Sequence, residues 1–265
     1  MIPFRDNIPS RTAPVLTVVL IAINAVVFLH EFTMREPERE RFIYRWGVIP
    51  LEFQIIGEGP QPVETPPERL IGQRPVLAAE VRVYELEGTL AGAVLPLFSS
   101  MFLHGSWMHL IGNMWFLWLF GDNVEDRLGR VRYLVLYILS GLVAGLSQVF
   151  VNWGDTVPMI GASGAVAGVL GAYMVTYPYA RVLAFVPFYY FFWPVVELPA
   201  LVFLGLWFLM QFFQGTASLA GAPGGGVAWW AHVGGFIAGI LLMWLLAPEP
   251  PGRRGPASVE PVHDQ

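Results

Sequence analysis

The chain of 265 residues is 55% hydrophobic and only 13% charged. Soluble domains carry about 25% charged residues, so this composition argues against an ordinary soluble protein and predicts a membrane protein whose surroundings are the lipid bilayer. The net charge of −5 argues against a nucleic-acid partner, and the absence of cysteine excludes disulfides and a thiol nucleophile.

The first part of the chain predicts one helix followed by a long loop. Residues 1–12 are polar and we place them in the cytoplasm, whereas residues 13–32 are apolar over about the 20 positions that cross a bilayer. No small-residue cleavage site follows, so residues 13–32 predict an uncleaved first transmembrane helix rather than a signal peptide. Residues 33–94 are charged and contain several prolines, which predicts a long extracytoplasmic loop. Within this loop, residues 81–86 alternate as in a short strand or an amphipathic edge.

The remainder predicts five further transmembrane helices, at about residues 95–121, 133–151, 163–177, 199–214 and 229–247. The predicted fold class is therefore an all-α membrane protein, a bundle of six transmembrane helices. Between these helices we predict a charged loop at 122–132 and an interfacial approach at 182–197, with an aromatic belt at 188–193. Residues 248–265 predict a disordered cytoplasmic tail. The segments that this topology places inside hold eight arginines and the short outside loops at 152–160 and 214–228 hold none, which predicts that both termini are cytoplasmic.

Two of the predicted helices combine a run of small residues with one reactive side chain. Ser163 opens a segment of glycine and alanine, and His232 is followed by Gly235 and Gly239. Small faces let helix backbones approach closely in a membrane. At about 1.5 Å of rise per residue, both side chains lie at the same depth, ~6–8 Å below the outer edge of the bilayer core. This predicts a Ser–His dyad, in which the histidine is the base that activates the serine.

Acyl transfer also needs hydrogen-bond donors directed at the oxyanion. His109 and Asn113 are four residues apart and share one helix face, and the Ser163 N–H at a helix N-terminus is a third candidate donor. His104 precedes His109 by five residues, which places it off that face and nearer the surface. This spacing, without a third ligand nearby, argues against a metal site. The chain also lacks the HExxH motif of zinc proteases and a pair of carboxylates within the predicted helices.

Together these segments resemble the signature motifs of rhomboid intramembrane serine proteases. The resemblance rests on His104, His109 and Asn113, on Gly161-Ala162-Ser163-Gly164, on Ala231, His232, Gly235 and Gly239, and on residues 120–129. It covers about residues 95–245, so that residues 95–247 resemble a rhomboid catalytic core.

The resemblance implies a reaction and a role for each residue. Ser163 would be the nucleophile and His232 the general base, with oxyanion stabilisation from His109, Asn113 and the Ser163 amide, and with His104 and Gly161 as accessory residues. It implies cleavage of transmembrane protein substrates near their outer ends, without cofactor or metal. It also implies a multi-pass protein of a bacterial inner membrane.

The chain departs from the family pattern at two places. Many members carry a Trp-Arg pair in the first loop, where this chain has Leu95-Pro96-Leu97-Phe98, and an aromatic residue four positions after the serine, where it has Ala167. The sequence therefore leaves open which groups anchor the loop and orient His232. The alternative function is a non-catalytic rhomboid-like protein that binds membrane proteins or serves quality control. A transporter is disfavoured, because the chain shows no internal repeat.

Overall fold

In a computed structural model of the protein, the described residues are 1–64, 83–186, 194–220 and 226–247. Their secondary structure is mostly helical, with two small sheets. In chain order the elements are β1 Ile2–Asp6, α1 Val15–Thr33, α2 Glu38–Trp46, α3 Pro50–Gln54, β2 Gln61–Glu64, β3 Val83–Leu86, α4 Leu90–Ser99, α5 Trp107–Leu128, α6 Arg130–Val151, α7 Ser163–Thr176, β4 Arg181–Phe185, β5 Val195–Pro199, α8 Ala200–Leu219 and α9 Trp229–Leu246.

Four of the described helices, α1, α6, α8 and α9, are long and apolar enough to cross a membrane. A fifth candidate is bent, because α4 with its 3-10 extension to Phe102 meets α5 at 79°. The predicted single span at 95–121 is therefore two helices, and Ser106 begins the second by accepting the His109 N–H at 3.2 Å. These helices make the chain an integral membrane protein.

Helix α7 lies in the middle of the helical bundle. It has 14 residues, about 21 Å at the usual helical rise, and every residue from Gly164 to Tyr173 is buried. Its packing against α9 uses glycines on both sides. A Cβ atom at Gly235 would collide with the carbonyl oxygen of Gly164, and one at Gly239 with that of Gly168. The two backbones are in direct contact, as the small-residue faces predicted.

The N-terminal segment contributes a strand that the sequence did not predict. β1 pairs antiparallel with β4, and β4 pairs antiparallel with β5, which gives the strand order β1-β4-β5. The all-α prediction is wrong in this detail, because β4 and β5 occupy part of the expected interfacial approach at 182–197. The aromatic belt predicted at 188–193 and the tail predicted at 248–265 lie outside the described residues.

The loop predicted at 33–94 contains ordered elements. It includes α2, α3 and the β2–β3 hairpin, and a small core formed by Ile49, Ile55, Val63 and Leu86. The strand expected at 81–86 is observed over Val83–Leu86, and residues 81–82 are not described. Helix α4 begins at Leu90, before the expected end of the loop.

The prediction of a charged loop at 122–132 is wrong. Helix α5 continues to Leu128 and α6 begins at Arg130, so Gly129, with φ of +75°, is the whole connection. The segment is helical rather than a solvated loop because the Glu125 side chain is buried and hydrogen-bonded. Its carboxylate accepts the backbone N–H groups of Leu16 and Thr17, at 2.9 and 2.8 Å, in the first turn of α1. A negative group at a helix N-terminus is favourable, so this charge belongs inside the fold.

Candidate active site

The structure brings Ser163 and His232 together. Ser163 is the first residue of α7 and His232 lies in the first turn of α9, the two helices whose glycines put their backbones in contact. The Ser163 Oγ and the His232 Nε2 are 2.8 Å apart, which is hydrogen-bonding distance. A serine hydroxyl that donates to an imidazole nitrogen is the arrangement needed for nucleophilic attack with general-base help.

The other nitrogen of His232 faces a residue that the sequence analysis missed. The Gln211 Oε1 on α8 lies 2.7 Å from the His232 Nδ1, and Gln211 is only 3% exposed. Because an amide oxygen only accepts hydrogen bonds, this contact favours the form of His232 that carries its proton on Nδ1. The available signal was an amide in the apolar run of α8, because polar groups within membrane helices are costly and usually have a partner.

Aromatic rings also hold the imidazole. The Trp207 ring centroid lies 5.9 Å from that of His232 at an interplanar angle of 35°, and the Trp229 ring meets it edge-on at 6.2 Å. Ala167, at the position where the family often has an aromatic residue, is fully buried. The ring support of His232 therefore comes from α8 and from its own helix rather than from α7.

His109 and Gly161 lie beside the nucleophile. Gly161 has a φ of +127°, and a Cβ atom built on it would be 2.7 Å from the His109 Nε2 and 3.7 Å from the Ser163 Oγ. Only glycine fits there, since any side chain would meet the His109 ring. The Gly161 N–H donates to the Ser100 carbonyl at 2.8 Å, which fixes the loop that leads into α7.

Asn113 lies one turn after His109 and is 8% exposed. Its Nδ2 is buried and has no hydrogen-bond partner among the described residues. A buried donor without an acceptor is unfavourable in a resting protein, so such a group needs an explanation. One explanation is that the Asn113 donor acquires its acceptor only during a reaction.

His104 was expected nearer the surface, and this expectation is wrong. The residue is fully buried, and its ring stands edge-on to that of His109 with centroids 5.0 Å apart. In the part of the chain that is described, neither ring nitrogen of His104 has a hydrogen-bond partner. The burial follows from the bend between α4 and α5, which turns Leu103 and His104 inward.

Two residues from the first part of the chain hold this bend. The buried carboxyl group of Glu31, in the last turn of α1, accepts the His104 N–H at 3.3 and 3.4 Å. The Arg39 guanidinium, on α2, donates to the carbonyls of His104 and Gly105 at 3.4 and 3.0 Å. Glu31 and Arg39 therefore anchor the segment that leads into α5, and neither residue was predicted from the sequence.

A sequence model of the Rhomboid domain matches residues 91–249. The chain belongs to the rhomboid family. The rhomboid match includes Ser163, His232 and Gln211, whereas Glu31 and Arg39 lie before it.

Three curated relatives show how far the similarity extends. RHOMBOID-like protein 5 of Arabidopsis thaliana is 28% identical over 268 residues, which cover 98% of this rhomboid chain and 77% of the relative. Rhomboid protein 1, mitochondrial, of Saccharomyces cerevisiae is 30% identical over 159 residues, 58% of this chain and 42% of the relative. Presenilin-associated rhomboid-like protein A, mitochondrial, of Danio rerio is 35% identical over 133 residues, which cover 48% of this chain and 35% of the relative. The matches to the yeast and zebrafish proteins thus cover less than half of their lengths.

Proposed function

We propose that this rhomboid is an intramembrane serine endopeptidase that cleaves transmembrane proteins. The observation that supports it most is the 2.8 Å hydrogen bond between the Ser163 Oγ and the His232 Nε2 inside a helical membrane bundle. A structural serine in a membrane helix normally bonds a carbonyl one turn back, as Ser147 does with Val143 at 2.7 Å. The Ser163 Oγ instead lies at hydrogen-bonding distance from an imidazole nitrogen.

The proposed reaction has two halves. The Ser163 Oγ attacks the carbonyl carbon of the scissile peptide while the His232 Nε2 takes the hydroxyl proton. When the tetrahedral intermediate collapses, the imidazolium gives this proton to the leaving amine and an acyl-enzyme remains. A water molecule then attacks the ester carbonyl while His232 takes a proton from it. The imidazolium returns this proton to the Ser163 Oγ as the ester bond breaks and the carboxylic product leaves.

Three donors are proposed to stabilise the oxyanion in both halves. The His109 ring lies against Gly161 near the Ser163 Oγ, and the buried Asn113 Nδ2 has an unused hydrogen. The Ser163 N–H is one of the free amides at the start of α7, where the helix dipole also favours negative charge. Removal of one such donor typically costs 10²–10³-fold in turnover.

The surroundings of Ser163 favour a small substrate side chain at the cleaved bond. A narrow cavity beside the serine is lined mainly by small residues, among them Gly141, Ala144, Gly145 and Ala228. A peptide carbonyl in an intact helix is shielded by its own hydrogen bond, so the substrate must unwind locally. Small, helix-breaking residues near the outer end of the substrate helix meet both requirements.

The proposed topology has six membrane spans and cytoplasmic termini. It counts the bent pair α4–α5 as the second span and the short helix α7 as the fourth, although α7 alone falls below the length of a full span. We propose a bacterial inner membrane for the protein, while several of its relatives carry mitochondrial or chloroplastic names. Reporter fusions at both ends and in residues 33–94 test the orientation: cytoplasmic ends with an external loop are expected, and a cytoplasmic loop contradicts it.

The activity is tested with purified protein in liposomes and a fluorescent transmembrane peptide. Wild-type protein is expected to cleave it, and Ser163→Ala and His232→Ala to lose at least about 10³-fold in turnover. Matched controls are Ser218→Ala and His30→Ala, which remove the same groups elsewhere and are expected to cleave normally. Equal cleavage by wild type and both site variants would refute the dyad. No cleavage by any form, with the peptide still bound, would support the non-catalytic binding function instead.

A further inference from the structure

A Ser–His dyad works in only one tautomer of its histidine. The Nε2 of His232 must keep its lone pair to accept the Ser163 proton, so the proton of the neutral ring must sit on Nδ1. A neutral imidazole with no partner at Nδ1 exchanges between both forms. In the wrong form, Nε2–H points at the serine and cannot activate it.

Gln211 provides the acceptor that this tautomer needs. Its Oε1 lies 2.7 Å from Nδ1, and the side chain is 3% exposed, so that water does not compete for the bond. Trp207 and Trp229 restrict the tilt of the ring, yet neither side chain carries an acceptor oxygen for Nδ1–H. Ring orientation and tautomer choice therefore come from different side chains.

The position of Gln211 on α8 supports this role. The neighbouring side chains Phe212 and Phe213 are exposed on the apolar outer face, whereas Gln211 turns inward. The second amide of the helix, Gln214, is exposed one turn later. A buried amide within a membrane helix is unfavourable unless it is hydrogen-bonded, so the contact with His232 accounts for its placement.

We propose that Gln211 is a positioning residue that holds His232 in the Nδ1–H tautomer, which makes the site a Ser163–His232–Gln211 chain of hydrogen bonds. The positioning role of Gln211 rests on the proposed peptidase function, whereas the tautomer of His232 does not depend on that function. The amide is neutral, so it fixes the tautomer of the base without adding a charge to the membrane interior.

Kinetics of three variants test the effect on the reaction. Gln211→Met keeps the length of the side chain but removes the strong acceptor, and is expected to lower kcat about three- to tenfold with KM little changed, the range of one neutral hydrogen bond. Gln211→Glu keeps an acceptor oxygen and is expected to recover most of kcat. Gln214→Met is the matched control on the same helix and is expected to behave as wild type. Wild-type kcat in Gln211→Met, or equal losses in Gln211→Met and Gln214→Met, would overturn the proposal.

Nitrogen NMR of ¹⁵N-histidine-labelled protein in detergent tests the tautomer without any substrate. In the wild type, His232, assigned by comparison with His232→Ala, is expected to carry its proton on Nδ1. Gln211→Met is expected to populate both tautomers. A wild-type proton on Nε2 would overturn the proposal even if the variant fails to fold.

The two measurements separate this proposal from the proposed function. Loss of the Nδ1–H form in Gln211→Met supports the tautomer role even if no peptide is cleaved by any form. An active wild type whose tautomer and kcat are both unchanged by Gln211→Met removes the role of Gln211 and leaves the peptidase in place.

Discussion

The α7–α9 interface and the α1–α5 interface hold the same site by opposite means. Between α7 and α9 the contact is backbone on backbone, with Gly164 and Gly168 of one helix against Gly235 and Gly239 of the other. Between α1 and α5 with the segment before it, the contacts are polar: Glu31 accepts the His104 N–H before α5 begins, and Glu125 near the end of α5 accepts the amides that begin α1.

The difference shows which changes each interface tolerates. Glycine packing has no room for one added methyl group, because the neighbour in its way is a rigid backbone. The polar interface fails instead when an acceptor is removed, because a buried N–H then has no partner. One interface sets the distance between Ser163 and His232, and the other fixes the loop before His109.

The largest effect is expected from Gly239→Ala in α9. Its Cβ would meet the Gly168 backbone, with no flexible side chain to move aside. We expect a destabilisation at or above the upper end of the ~1–3 kcal/mol typical of overpacking, and loss of most peptide cleavage because α9 carries His232. Thermal unfolding in detergent and the peptide assay measure both.

Gly205→Ala in α8 is the control for this variant. A Cβ atom there meets nothing within 4 Å, and alanine is the better helix former, so wild-type activity and equal or higher stability are expected. If Gly239→Ala were as stable and active as Gly205→Ala, the close contact of α7 with α9 would not be what positions the dyad.

A smaller effect is expected from Glu31→Leu in α1. The buried His104 N–H loses its acceptor, which costs about 1–3 kcal/mol, and the loop before α5 loosens. We expect a melting temperature lower by several degrees and a reduced kcat, with most of both restored in Glu31→Gln, which keeps an acceptor oxygen.

Glu36→Leu is the matched control for that change. Glu36 pairs with Arg39 at 3.9 Å but its side chain is 58% exposed, and such surface pairs contribute about 0–1 kcal/mol. The polar interface would lose its assigned role if Glu36→Leu and Glu31→Leu lowered the melting temperature equally.

The smallest effect is a pH dependence at β1. Burial raises the pKa of Asp6 above its ordinary value, although Tyr173 donates a hydrogen bond to it. The folded protein therefore holds this proton more tightly than the unfolded chain, so the contribution of Asp6 to stability falls as the pH rises from about 4 through its folded pKa. Asp6→Asn removes the titration, and the melting temperature of the wild type is expected to fall relative to the variant over this range. A constant difference between the two would contradict it.

Local patterns in the sequence predicted the four long apolar helices α1, α6, α8 and α9 and the small-residue faces of α7 and α9. They also predicted that Ser163 and His232 lie at one depth, and the structure places the two side chains in contact. These features depend on spacing within one helix, which a single sequence displays directly.

Three features that were not predicted from the sequence depend on a distant partner. β1 finds its neighbour β4 about 180 residues away, and Glu31 meets His104 through a bend between helices that hydropathy treats as one span. In the sequence Gln211 is only an amide within an apolar helix, and its partner His232 is identified once α8 packs against α9. No spacing rule links such pairs, because the tertiary fold alone brings them together.

Mass spectrometry of wild-type protein treated with a fluorophosphonate probe distinguishes a reactive Ser163–His232 dyad from a structural pair. We expect one phosphonylated residue, Ser163, with labelling greatly reduced in His232→Ala and unchanged in Ser218→Ala. Labelling of another serine, or equal labelling of Ser163 with and without His232, would contradict it.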